Sequence, residues 1–208
     1  LTSLQSRSDV LNFVRGNKPL FLMTLSESSL FNLPSLFDFL PDFKIINMIR
    51  RGIDVAYQIE EKGHYSNQQL LKPSHARLYY RTKYKGKVFY VPCWVDVKEK
   101  EKFLAYSLYE RGLFFWCTLV GEMIESFEKL KNKKQLLTIK FEDLVENPEK
   151  MMRKANVFIN ANKPSSMTKT ALHNIQNYRI VHRKAPELPD YLLVKTKEIY
   201  KYFKYEWN

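Results

Sequence analysis

Arg50-Arg51-Gly52 is the segment of this chain best placed to do chemistry. It follows an apolar run, Lys44 to Ile49, and precedes Ile53-Asp54-Val55-Ala56-Tyr57, which reads as the opening of a helix. A guanidinium at the end of a strand can hold a phosphate by two parallel hydrogen bonds, which a lysine cannot match. The amino end of the next helix adds backbone donors and a partial positive charge. The alternative is a surface arginine pair closing a strand edge. A second segment, Leu136 to Phe141, delivers Glu142-Asp143 to the end of another strand, before Pro148 opens a helix. Acid pairs can be catalytic. The structural reading is that one carboxylate caps a helix while the other binds a neighbouring backbone or arginine.

These residues need a frame that brings strand ends together. Leu1 to Leu11 reads as a helix, and Leu20 to Leu25 as a buried strand. A helix capped by Ser28 or Ser29 follows, and Pro41 stops it. Lys44 to Ile49 is the second strand, and a helix through Ile59 comes next. A short β-ribbon is expected around Tyr84 to Val91, and one long helix from Lys100 to Lys131. Leu136 to Phe141 is the third strand. A helix from Glu149 to Ile159, a loop-rich stretch over 160–190 and a terminal helix from Tyr191 to Tyr202 complete the chain. Strands separated by helices predict an α/β fold with a parallel sheet.

The chain has 208 residues, with 34 Lys+Arg against 22 Asp+Glu, for a net charge of +12. That length suits one domain over 1–208, with its core in 1–160 and a C-terminal loop and helix in 161–208. The positive balance suggests an anionic partner (nucleic acid, an acidic membrane surface, or a phosphorylated or sulfated ligand), the alternative being a solvated coat of lysines. The basic residues are dispersed, with no block of five or six, so no nucleic-acid arm is expected. No apolar run reaches the ~18 residues that span a bilayer. Cys93 and Cys117 cannot make a disulfide scaffold, and no His/Cys spacing predicts a metal site.

Together the segments resemble the PAPS-dependent sulfotransferase superfamily, which moves a sulfuryl group from 3′-phosphoadenosine 5′-phosphosulfate (PAPS) to a hydroxyl or amine. The family's Ile-Arg-Asp-x-Arg-Asp-Val-Ala-type signature is matched by Ile49-Arg50-Arg51-Gly52-Ile53-Asp54-Val55-Ala56. Its Arg-Tyr-Glu-Asp-Leu-x-x-x-Pro signature is matched by Lys140-Phe141-Glu142-Asp143-Leu144-Val145-Glu146-Asn147-Pro148. Trp116 stands where the family often has a tryptophan in its long helix, and Leu33 to Pro41 is also similar. The resemblance covers most of 1–160 and implies a three-layer α/β sandwich with a central parallel sheet, the P-loop-NTPase-like sulfotransferase fold. It also implies that Arg50 contacts the 3′-phosphate of the nucleotide. Gln58 takes the place of a serine that usually shares this phosphate, and its amide can still donate. His182-Arg183-Lys184-Ala185 is similar to a phosphate-binding Arg-Lys-Gly loop, with Ala185 for the glycine. Arg183 and Lys184 are therefore cofactor-binding candidates, or plain surface charge.

Two family parts are missing from the sequence. The loop that cradles the 5′-phosphosulfate is absent, and the expectation is that Leu1 lies just downstream of it. The lysine of the turn after the second strand is also absent, where the chain reads Leu25-Ser26-Glu27-Ser28. Glu27 and His64 are the candidate catalytic bases; otherwise Glu27 is a turn or cap residue and His64 a loop residue. The first reading is a PAPS-dependent sulfotransferase acting on a glycan or other hydroxylated acceptor, without a metal. The second is a catalytically impaired relative that serves as a binding or scaffold protein. The weakest is a basic nucleic-acid-binding domain. Few cysteines and no glycosylation acceptor point to the cytoplasm, or to the Golgi lumen if an anchor precedes Leu1.

Overall fold

The computed structural model describes residues 8, 43–73, 78–130, 132–160, 172–175 and 178–207. The expected helix at Leu1 to Leu11 (apart from Ser8), the strand Leu20 to Leu25, the helix over 28–40 and Glu27 lie outside the described residues. Strand β1 is Ile45–Ile49, and helix α1 is Gly52–Glu61. Short helix α2, Asn67–Leu71, is capped by the Ser66 side chain. Strands β2, Tyr79–Tyr84, and β3, Lys87–Pro92, form an antiparallel hairpin. Its turn residues Lys85 and Gly86 both have positive φ, as a tight hairpin turn requires.

Helix α3 is Lys100–Ala105 and helix α4 is Leu108–Glu128. The single long helix expected over Lys100 to Lys131 is thus two helices. The break is a capping box: Ser107 Oγ accepts from Glu110 N at 3.2 Å, and Ser107 N donates to Glu110 Oε2 at 2.6 Å. Those two bonds satisfy donors that a continuing helix would have used, so the chain restarts at Leu108. Strand β4, Leu136–Lys140, leads directly into helix α5, Phe141–Glu146. Helix α6, Pro148–Phe158, has its proline at the first turn, where a missing N–H costs nothing. Helix α7 is Asp190–Phe203.

The architecture is mixed α/β. Among the described residues it holds two sheets of two strands each, β1–β4 parallel and β2–β3 antiparallel. In the parallel pair Ile49 stands opposite Lys140, so both strands end at one edge. Ile45, Ile49 and Leu136 pack into the main core with α1, α4 and α7. Leu137 and Ile139, on the other face, pack with Leu144 of α5 and Met151 of α6. Both faces of β4 are thereby covered, as suits its apolar run, whereas Ile46 and Met48 of β1 stay exposed opposite its core face.

The α1–α4 contact fixes what stands at the sheet edge. A Cβ on Gly112 would lie 3.0 Å from Ile59, and one on Gly52 only 2.5 Å from the Trp116 ring. The missing side chains let the first turn of α1 sit directly on the indole. In the turn after β3, Trp94 packs against the main core. Its ring lies 5.1 Å from Phe115 and 5.5 Å from Phe103. No helix among the described residues is long and apolar enough to cross a membrane.

Candidate anion site at the carboxyl edge of the parallel sheet

Arg50 leaves β1 at its carboxyl end, the edge where open α/β sheets bind ligands. Its carbonyl accepts from Trp116 Nε1 at 3.1 Å, which pins the backbone at that point. Its guanidinium lies 5.1 Å from the centre of the Phe141 ring, the residue that opens α5. Phe141 in turn meets Tyr178 edge-on at 5.2 Å. Arg50 has no carboxylate partner among the described residues, and its Nε is buried without a hydrogen bond. A buried, unsatisfied guanidinium nitrogen is costly, so the side chain has donor capacity that the protein leaves unused.

Arg51 is used differently. It is 6% exposed and serves as the N-cap residue of α1. Its backbone N–H donates to Glu142 Oε1 at 3.0 Å, a bond that ties β1 to the segment following β4. Its Nη1 lies 2.7 Å from His182 Nδ1 and 3.8 Å from Asp54 Oδ2. Asp54, in the first turn of α1, is 2% exposed. Asp54 Oδ1 accepts from the Arg183 backbone N–H at 3.1 Å, while Oδ2 lies 3.8 Å from His182 Nδ1 and has no hydrogen bond. A carboxylate in the first turn also suits the positive end of the helix dipole.

Glu142 has both oxygens engaged, Oε1 with Arg51 and Oε2 with the Tyr205 hydroxyl at 2.8 Å. The same hydroxyl lies 3.2 Å from the carbonyl of Ile49. Tyr205 arrives there because Lys204 adopts a left-handed conformation and turns the chain back from α7. Burial first, and then the Glu142 carboxylate, push the Tyr205 phenol up and keep it a donor. The acid pair's first member is therefore an organiser of the edge, bound to a neighbouring backbone amide. Tyr200 adds a second tie from α7, its hydroxyl accepting from Ile53 N at 3.3 Å.

The structure brings four of the six candidate site residues to α1 or its strand. Arg50 ends β1, and Gln58 is half-buried on α1, one turn beyond Asp54. Arg183 sits over the Tyr57 ring at 4.8 Å and pairs with Glu61, while the Lys184 carbonyl accepts from Tyr57 at 3.3 Å. The Lys184 side chain is exposed. His64 is not brought to this edge. It is exposed in the turn after α1, and its N–H donates to the Ile59 carbonyl. A helix of ten residues, about 15 Å long, separates it from Arg50. Glu27 lies outside the described residues.

Sequence reasoning missed Asp54 and His182 as partners of Arg51. The only local signal was the Arg51–Asp54 spacing of three, which places opposite charges on one face of a helix. As a device, the edge can bind a tetrahedral anion: a cation with spare donors stands where the amino end of α1 points.

No family model matches the chain, and no curated protein matches it. Among solved structures it is similar to a sulfotransferase domain from the curacin biosynthetic pathway, with a TM-score of 0.54 and 13% sequence identity. The similarity covers 96% of this chain and 68% of that one, and shows that the chain has a sulfotransferase-like fold.

Proposed function

We propose that this chain binds PAPS at the carboxyl edge of the β1–β4 sheet and transfers its sulfuryl group to a hydroxyl or amine of a carbohydrate or other small acceptor. With that reading goes the three-layer, P-loop-NTPase-like form of the sulfotransferase fold. The observation that carries it is Arg50: a guanidinium at a strand end, beside a helix amino terminus, with a buried Nε that nothing among the described residues satisfies. A 3′-phosphate fits that donor set. Bound there, the nucleotide supplies an activated sulfuryl group. Arg50 holds and orients the phosphate, Gln58 offers an amide donor one turn past Asp54, and Arg183 and Lys184 add positive charge along α1. Of the two candidate bases, His64 stands past the far end of α1, so the reading keeps Glu27 to take the acceptor's proton.

Calorimetric titration with 3′-phosphoadenosine 5′-phosphate tests the binding step. The expected result is saturable binding that weakens at least about tenfold in Arg50→Ala, the loss of a charge-assisted bidentate contact. No binding by the wild-type chain, or an Arg50→Ala variant that binds equally well, would overturn the cofactor reading. Sulfate transfer to a panel of glycans tests the second step. A Glu27→Gln variant that turned over at the wild-type rate would remove that base.

A second reading has its own observation. The Arg183 guanidinium is engaged within the protein by Glu61 and Tyr57, which suits a relative that binds a nucleotide without turning it over. Nucleotide binding with no transfer to any acceptor is the result that would favour it.

A further inference from the structure

We propose that Asp54 is a positioning residue that straps the segment over 178–185 onto α1, and that this strap sets how tightly a 3′-phosphorylated nucleotide is held. The inference deepens the cofactor reading above and rests on it for its second half. Residues 178–189 have no regular secondary structure, so their own backbone bonds do not hold them in place. Their attachments are made instead to α1 and the residue just before it, with Tyr178 edge-on to Phe141 of α5, Ala185 and Leu188 against the main core, and Arg183 paired with Glu61 at the end of α1. Arg183 N–H donates to Asp54 Oδ1. His182 Nδ1 lies against Arg51 Nη1 at 2.7 Å and near Asp54 Oδ2 at 3.8 Å. Tyr57 donates to the Lys184 carbonyl and carries the Arg183 guanidinium on its ring.

Asp54 stands at the centre of that set. It is the buried partner common to the Arg183 backbone, the His182 ring and the Arg51 guanidinium, and it holds the first two through one carboxylate. His182 is half-exposed, so the strap is covered on one side and open to water on the other. A segment fastened by side chains rather than by a backbone ladder opens locally, without unfolding the domain. When it opens, Arg183 and Lys184 leave α1 while Arg50 stays in place, since Arg50 is held by Trp116 and Phe141. Nucleotide affinity then falls by the fraction of time the strap is open.

Amide hydrogen exchange and calorimetry on the full chain test this, with wild type, Asp54→Ala, Asp54→Asn and Arg183→Ala. In Asp54→Ala the exchange of the 182–184 amides should rise about tenfold, the loss of one buried charge-assisted hydrogen bond. The amides over 57–61 should stay as slow as in wild type. Asp54→Asn retains an acceptor for Arg183 N–H and should restore most of the protection. Affinity for 3′-phosphoadenosine 5′-phosphate should drop about fivefold in Asp54→Ala, and the drop should vanish in an Arg183→Ala background.

Exchange at 182–184 that does not change, or that rises equally over 57–61, would overturn the strap and leave Asp54 a helix-stabilising residue. Additive affinity losses would overturn the link to nucleotide binding. A wild-type chain that binds no nucleotide, yet shows the exchange pattern, would support the strap and remove the cofactor reading alone.

Discussion

Two arginines in this molecule are almost equally hidden from water, and they are treated in opposite ways. Arg111, on α4, is 4% exposed. Its Nε donates to the Phe103 carbonyl, Nη2 to the Leu104 carbonyl, and Nη1 to both the Tyr65 carbonyl and Asn67 Oδ1. Arg51 is as deeply placed, yet among the described residues its Nε has no hydrogen-bond partner, and neither does that of its neighbour Arg50. Arg111 answers to backbone carbonyls that cannot leave: those of the end of α3 and of the turn before α2. Arg51 answers to Asp54 and His182, one on α1 and the other on an irregular strap. A buried cation with a partner at every nitrogen holds a fold together, whereas a buried nitrogen left over requires a different explanation.

The contrast is broken or sharpened most strongly by Arg111→Ala. It removes four hydrogen bonds to three carbonyls and one amide oxygen, so chemical denaturation should show a loss of about 4 kcal/mol, with the remaining folded fraction unchanged in anion binding. A loss under about 1 kcal/mol would remove the structural role given to Arg111. Next comes Gly52→Ala. Its Cβ would meet the Trp116 ring at 2.5 Å, and the forced shift of α1 should cost about 2 kcal/mol, seen as a lower thermal midpoint.

Tyr205→Phe follows, at about 1 kcal/mol for bonds to Ile49 and Glu142 that are no longer made. It carries a pH signature as well. The folded-state value of Tyr205 lies above the ordinary tyrosine value of 10.0. Its contribution is therefore complete below pH 10 and is lost as pH rises through the folded value. Stability measured from pH 9 to 11 should fall less steeply in the variant than in wild type; equal slopes would assign the alkaline loss to other groups. The smallest effect belongs to Arg50→Ala. Among the described residues its side chain gives up only a ring contact, so stability should change by less than about 1 kcal/mol. A larger loss would make Arg50 a second Arg111 and blur the distinction.

The local pieces were legible in the sequence, and their long-range pairings were not. Ile45–Ile49 and Leu136–Lys140 read as strands because both faces are apolar, and Pro148 marked the start of α6. The restart of α4 was legible too, in Ser107 followed three residues later by Glu110, but the apolar periodicity running from Phe103 to Phe127 concealed it. The carboxyl edge depends on contacts of another kind. Arg51 meets Glu142 across 91 residues, and Asp54 meets Arg183 across 129. Side-chain spacing along a helix carries information about neighbours three or four residues away; it carries none about which distant segment will turn back, as Tyr205 does after Lys204. Arg50 was legible because its position depends on a single strand end. Asp54 was not, because its role exists only once the strap has closed.

The contact between Trp116 and the start of α1 has a practical consequence. The chain has three tryptophans, and they sit in distinct settings: Trp94 within a box of aromatic rings, Trp207 beside Tyr200, and Trp116 with its indole N–H on the Arg50 carbonyl. The Trp116 ring also lies flush against Gly52. With phenylalanine at positions 94 and 207, the emission of the remaining indole becomes a built-in optical gauge of the Arg50 backbone, readable on the millisecond scale of stopped-flow mixing and without any attached dye.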